Sequence, residues 1–580
     1  MDSNDKKSDS RGFFKKALNE KGIITKTIVK IGNLIESFAE KVEGNYEKGG
    51  KKNYIPEITV FFLYVIGQIC MMFFHEPGAE EALPWLIARD STIYEVIFVV
   101  PHYEFCPSLW YLVLMPFAKL GTSYELTLNL INLAFTGAAI CFILFKAPFK
   151  RIIRLLLPFS FFLFYQYGVV NSSFSMMILG FVLLSVIYGK KDLHPVRFGL
   201  ALIYLSTCGT FSAIIVAGLC IVWIIDKCNV KKLGLGVLVL AYIGFLAYRL
   251  LPEEDSLVSL LSKFPGHDLL TRIGYSTFGV LSDLFVTNTF FETGSLIHTT
   301  IDRREFIAAL LIGFIILCIV IRFAYKKKKL FWFIIPWILF SASATFLNFT
   351  RDQIGVLSLF LMLFVWICCQ ESYEKFEKKS LIIVENTEKT KPNLSAKKNE
   401  STFRSLLLIA LALVVAINLY WSISSCILDI SGNYSSGRVA YECVETYGLL
   451  NENILTRWED VPKLDEGPEA ITVSNMGVCL APYISNNNQI MNTVYDLGKN
   501  YSLFHQIPSG NATEDLQRTI EEKGAPVAML GMPYIMSIYK PTDVNFRDYE
   551  VVMEYNAGSI WKGVPEEYTE KIYILKSFLE

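Results

Sequence analysis

Two adjacent carboxylates, Glu80 and Glu81, sit in a loop that reads HEPGAEEALPWLIARD from His75 to Asp90. A carboxylate pair beside a membrane suits general-base chemistry, in which one oxygen takes the proton of an acceptor hydroxyl. The pair suits a plain helix start equally well, because acidic side chains favour the positive end of the helix dipole. Spacing alone leaves both readings open. The loop covers residues 75–124 and also carries Arg89, Asp90, Glu95 and Glu104. Two amphipathic stretches lie within it, Ala82–Arg89 and Leu109–Lys119. The second is too short to cross a bilayer, so it is expected along the outer interface.

The elements that must position these groups are set by hydropathy. Of 580 residues 52% are hydrophobic, and the mean hydropathy is +0.39. Apolar runs of ~17–25 residues match a hydrocarbon core of ~30 Å, so the expected class is an all-α polytopic membrane domain. A net charge of −1 argues against a nucleic-acid partner, which calls for a basic patch. Basic residues cluster in every second gap between apolar runs: up to Lys52, Lys146–Arg154, Lys190/Lys191/Arg197, Lys227–Lys232, Lys326–Lys329 and Lys375–Arg404. The other gaps carry Arg89 and Lys119, none around Asn171 or Gly209, then Lys263, Arg272 and Arg303/Arg304. Basic residues stay cytoplasmic, so the alternation predicts eleven plasma-membrane crossings, with a cytosolic N-terminus and an extracytoplasmic C-terminal domain.

Residues 1–56 form the cytosolic N-terminal segment, in which Ile24, Ile28, Ile31, Ile35, Phe38 and Val42 recur at helical spacing among lysines. That pattern predicts an amphipathic helix on the inner membrane surface. Residues 57–370 make up the membrane domain, with outer loops 75–124 and 251–303. Within it, residues 152–188 and 198–226 read as hairpins whose legs have about 14–18 apolar residues, or ~21–27 Å at 1.5 Å per residue. Their polar tips, Asn171–Ser173 and Ser206–Ser212, are therefore expected below the outer surface, where non-helical backbone must be buried or line a wet cavity. Residues 371–403 read as a charged cytosolic linker, 404–426 as the last membrane helix, and 427–580 as a small α/β domain. That domain is expected to have strands at Ala470–Val473, Val527–Leu530, Tyr549–Glu554 and Ile572–Leu575, and a helix at Thr513–Glu522. Most of the twelve cysteines lie in apolar runs, where they act as small hydrophobes. Cys443 and Cys479 fall on the outer side, where a disulfide is one option. No metal-ligand spacing is visible, so no metal site is readable and a divalent metal stays open; no cofactor is expected.

GAEEALPWLIARD followed by HYEFCPSLWYLVLMPFAKLG resembles the first outer loop of bacterial GT-C-fold membrane glycosyltransferases. These enzymes are relatives of the protein O-mannosyltransferases and of the lipid A aminoarabinose transferase. The order of elements is similar over roughly residues 55–370, with an outer domain appended. The resemblance implies Glu80 at the catalytic Asp position, Glu81 at its Glu neighbour, and Glu104 and Pro107 in the second motif. Three positions depart from the pattern: Cys106 stands where His is expected, Ser172 where relatives have Arg, and Gly209 near a polar or His position. The implied reaction moves a sugar from a polyprenyl-phosphate donor, a substrate and not a cofactor, to an unknown acceptor among membrane lipids, cell-envelope glycans or proteins. Glu80 or Glu81 would serve as base, and the leaving phosphate would meet a cation. The candidates are Lys263, Arg272, Arg303, Arg304 and Arg351. Arg89, Glu104, Ser172, His267 and His298 are the further substrate-binding candidates. Two other classes compete: a catalytically degenerate relative with a binding or assembly role, and a polysaccharide polymerase or ligase. A secondary transporter finds no support, because no inverted repeat or midspan ion site is visible.

Overall fold

The computed structural model describes residues 25–43, 47–48, 51–226, 230–254, 256, 259, 267–289, 303–347, 349–382, 394–457, 475–484, 490–492, 521–522, 524–531 and 546–580. Seven described helical segments are long and apolar enough to cross a membrane: Ile55–Met72, Tyr124–Lys146, Arg151–Val169, Val230–Arg249, Arg303–Lys326, Arg351–Gln370 and Arg404–Ser431. Five shorter apolar helices accompany them, Leu109–Lys119, Phe174–Tyr188, Pro195–Ser206, Thr210–Ile225 and Leu330–Phe346. The expected class, a helical polytopic domain followed by a C-terminal α/β domain, is the class observed.

Three hairpin legs are short, at 15, 12 and 16 residues for Phe174–Tyr188, Pro195–Ser206 and Thr210–Ile225. The fourth departs from expectation. Arg151–Val169 spans 19 residues, and Pro158 lies in a 3-10 turn that is followed by a π-helix over Phe162–Val169. Proline removes a helical donor and crowds the preceding turn, and here the regular α-helical pattern breaks at it. Close helix approach depends on Gly218: an added Cβ there would lie 2.6 Å from the Pro336 Cα on helix Leu330–Phe346.

At the basic end, Arg151 is buried in a bidentate pair with Glu57, at 2.8 and 2.7 Å. Its backbone N–H also donates to Glu43 at 2.8 Å. Residues 25–43 are helical, and Gly32 packs against Ser405 of the last long helix. Ile31, Leu34 and Phe38 remain exposed on this helix, in keeping with an amphipathic face. The segment read as a linker is helical at both ends, since Ile354–Ile382 and Leu394–Ser431 extend into it; residues 383–393 lie outside the described residues.

The C-terminal sheet has five described strands in the order Ile490–Asn492, Ile454–Arg457, Ala528–Gly531, Val564–Leu575 and Tyr549–Trp561. The first two contacts in that order are parallel and the last two antiparallel. The long hairpin Tyr549–Leu575 replaces two short expected strands. The expected strand Ala470–Val473, and all of the expected helix except Glu521 and Glu522, lie outside the described residues. Cys443 and Cys479 are separate buried thiols.

Candidate active site

Helix Ala79–Asp90 starts at Gly78 and places both glutamates in its first turn. Adjacent helical residues point about 100° apart, so the two side chains meet different surroundings. Glu80 is exposed, whereas Glu81 is 1% exposed. Four donors converge on the Glu81 carboxylate. Oε1 accepts from the Asn171 backbone N–H at 2.6 Å and from its Nδ2 at 2.9 Å. Oε2 accepts from the Gly78 N–H at 2.9 Å and contacts His75 Nε2 at 3.0 Å. Asn171 Nδ2 also donates to Asn129 Oδ1 at 2.9 Å.

Behind Glu81, His75 Nδ1 lies 2.8 Å from Asp429 Oδ2, which also accepts from the Tyr165 hydroxyl at 3.1 Å. Burial alone would lower the His75 pKa, but Asp429 and Glu81 outweigh it and raise the imidazole to about 10. A protonated imidazole between two carboxylates keeps both of its N–H groups donating. The ring of Tyr434 covers His75 at a centroid distance of 4.6 Å. Burial, together with Glu81, Glu80 and Asp429, holds the Tyr434 phenol well above its usual range.

Arg351 reaches the same region. Glu80 interacts electrostatically with its guanidinium. Its Nη2 donates to Ser559 Oγ at 2.6 Å, and its Nη1 pairs with Glu566, both on the C-terminal hairpin. Its neighbour Asp352 interacts electrostatically with Cys106, as does Glu104, and Cys106 touches Ser173 and Tyr111. Burial first, then Glu104, pushes the Cys106 thiol up to about 12, so it is protonated near neutral pH. The second hairpin tip joins through Thr210 Oγ1, which donates to the Phe105 carbonyl at 2.6 Å. Phe105 has φ 50° and turns the chain between Glu104 and helix Leu109–Lys119. Both tips thus meet the segment 75–124, with Asn171 only 1% exposed.

Of the residues singled out in the sequence, Glu80, Glu81 and Arg351 gather around Tyr434, and Glu104 sits with Cys106. Ser172 is at the first tip, and its buried Oγ finds no hydrogen-bond partner among the described residues. Arg89 is spent elsewhere: it binds Asp90 at 2.7 and 3.1 Å and the Ala481 carbonyl at 3.3 Å, bracing the C-terminal domain. Arg272 donates to the Thr345 carbonyl at 3.0 Å, joining two helix ends. His267 is adjacent to Asp268, the cap of helix Leu269–Gly274. Arg303 and Arg304 open helix Arg303–Lys326. Lys263 and His298 lie outside the described residues. Sequence reasoning missed His75, Asn129 and Asp429 as site groups. The available signal was three strongly polar residues at the ends of, or inside, apolar runs, where unpartnered polar groups are costly.

The C-terminal domain is tied on by Arg438, whose guanidinium binds Glu125 in bidentate fashion at 2.7 and 2.6 Å. The Arg438 N–H donates to Glu76 at 2.6 Å, and burial raises the Glu76 carboxyl above its usual range.

No protein-family model matches this chain, and no curated protein matches it. Among solved structures it is similar to ArnT from Cupriavidus metallidurans in the apo state, at 11% identity and a TM-score of 0.43, over 90% of this chain and 98% of that one.

Proposed function

We propose that the chain is a GT-C-type membrane glycosyltransferase that moves a sugar from a polyprenyl-phosphate donor to an acceptor hydroxyl on the extracytoplasmic side. The observation that carries this reading is the division of labour between the glutamates. Glu81 is saturated by four donors, while its neighbour Glu80 is exposed beside the Arg351 guanidinium. In this reading Glu80 takes the acceptor hydroxyl proton as the oxygen attacks the anomeric carbon. The bond from that carbon to the phosphate oxygen breaks, the anomeric configuration inverts, and the phosphate leaves with its electron pair. Arg351 stabilises the charge that develops on it. Glu81, held by His75 and Asn171, fixes the helix start from which Glu80 projects and acts as a positioning residue. Glu104 and Ser172 line the path of the acceptor or sugar.

The test is sugar transfer by the purified full-length protein, using polyprenyl-phosphate sugars as donors. A positioned general base contributes ~10²–10⁴ in rate, so Glu80→Gln should lose at least ~100-fold in turnover and keep its thermal midpoint. Full turnover by Glu80→Gln rules out this mechanism and favours the binding or assembly role.

A further inference from the structure

We infer that Glu566, on the C-terminal hairpin, is a built-in competitor for a phosphate site centred on Arg351. This rests on the transferase reading above and names how its donor site is controlled. Ser559 and Glu566 are directly opposed across the antiparallel hairpin, so their side chains project from the same face. That face meets Arg351: Ser559 Oγ accepts from Nη2 at 2.6 Å, and Glu566 pairs with Nη1. The Trp561 ring lies 5.8 Å from the guanidinium.

The hairpin turn itself is anchored in the membrane domain. Trp561 is 3% exposed and donates to Asn288 Oδ1 at 2.8 Å. Gly563 N–H donates to Ser425 Oγ at 2.9 Å, and Lys562 Nζ donates to the Thr287 carbonyl at 2.8 Å. The ion pair differs from this anchor in one respect. The Arg351 side chain is 24% exposed, whereas that of Glu566 is 54% exposed. A mostly enclosed cation requires an anion, because leaving it uncompensated is costly. An exposed carboxylate supplies that anion weakly, since solvent screens the pair and side-chain entropy opposes it. A phosphate offers the guanidinium several acceptor oxygens and more charge than a single carboxylate. The phosphate of a lipid-linked donor therefore displaces Glu566, while Ser559 and the anchored turn stay in place.

The experiment measures binding of a polyprenyl monophosphate, and separately of inorganic phosphate, to the full-length protein in nanodiscs. Glu566→Gln removes a competitor worth about as much as an exposed ion pair, so lipid-phosphate binding should tighten about two- to five-fold. Arg351→Gln should weaken it by about ten-fold or more, with Glu566→Gln no longer having any effect in that background. If wild type binds the lipid phosphate and Glu566→Gln binds it equally or more weakly, the competitor assignment is overturned and the transferase reading stands. If neither wild type nor Glu566→Gln binds it, the transferase reading falls as well. Inorganic phosphate binding as tightly as the lipid would make free phosphate the ligand and overturn the lipid assignment. The thermal midpoint of Glu566→Gln should fall only slightly, by what a solvent-screened pair contributes; a large drop would mark Glu566 as a structural clamp and overturn the proposal.

Discussion

Replacing Glu81 by Gln is the sharpest probe of the buried network. The two Glu81 oxygens face four donors, two on each oxygen. An amide keeps one oxygen and turns the other into a donor. In one orientation the new NH₂ faces both Asn171 groups; in the other it faces Gly78 N–H and His75 Nε2. Two buried donors lose their acceptor either way, at about 1–3 kcal/mol each. The substitution also removes one of the two charges that hold the His75 imidazolium, and breaking a buried pair costs about 3–5 kcal/mol. The two costs overlap, because the His75–Glu81 contact enters both, so the expectation is a destabilisation of at least about 3–5 kcal/mol. Glu80→Gln, at an exposed position, should stay within about 0.5 kcal/mol of wild type. Thermal unfolding of both variants in one detergent gives the comparison, and adding Asn171→Ala closes a double-mutant cycle. Because Glu81 and Asn171 share their bonds, the double variant should cost less than the sum of the singles by at least ~0.5 kcal/mol. Equal midpoints for the two Gln variants, or strict additivity in the cycle, would refute the assignment of Glu81 as the locked carboxylate.

Three other outcomes follow from the same structure. The raised His75 pKa stabilises the fold fully below pH ~6.5, its unfolded value, and this contribution is lost as pH rises through about 10. The stability difference between wild type and His75→Gln should therefore shrink between those pH values, and a difference that grows with pH contradicts the imidazolium assignment. Arg438→Glu should loosen the C-terminal domain and hasten its proteolytic release, and adding Glu125→Arg should restore part of the resistance; no rescue by the swap would show that the bidentate pair is not what holds the domain. For topology, a cysteine at Ser509 should be labelled by an impermeant reagent from outside and one at Lys328 should not, because the basic clusters allow no other parity; the reverse pattern would overturn the proposed orientation.

Hydropathy and helical spacing were enough to read the element order. Leu109–Lys119 appears with the bounds expected from its apolar stripe, and the legs Phe174–Tyr188 and Thr210–Ile225 are as short as their apolar runs. These features are local: burial of an apolar run and satisfaction of its backbone are decided within the segment itself. Which of two neighbouring glutamates is locked and which is exposed is not local. The choice depends on His75, Asn171 and, through His75, on Asp429, which lies 354 residues further along the chain. Likewise Arg351 reads from sequence as one outer cation among several, and only the hairpin register that opposes Ser559 to Glu566 gives it partners. Arg272 was an equally plausible cation until the fold set it against the Thr345 carbonyl, and Arg89, a substrate-binding candidate, was taken up by Asp90 and the Ala481 carbonyl. Where the chain enters apolar surroundings is legible from its residues, because that depends on composition. Tertiary structure alone decided which polar groups survive there, because each buried charge must find its donors or counter-charge, and those come from distant segments.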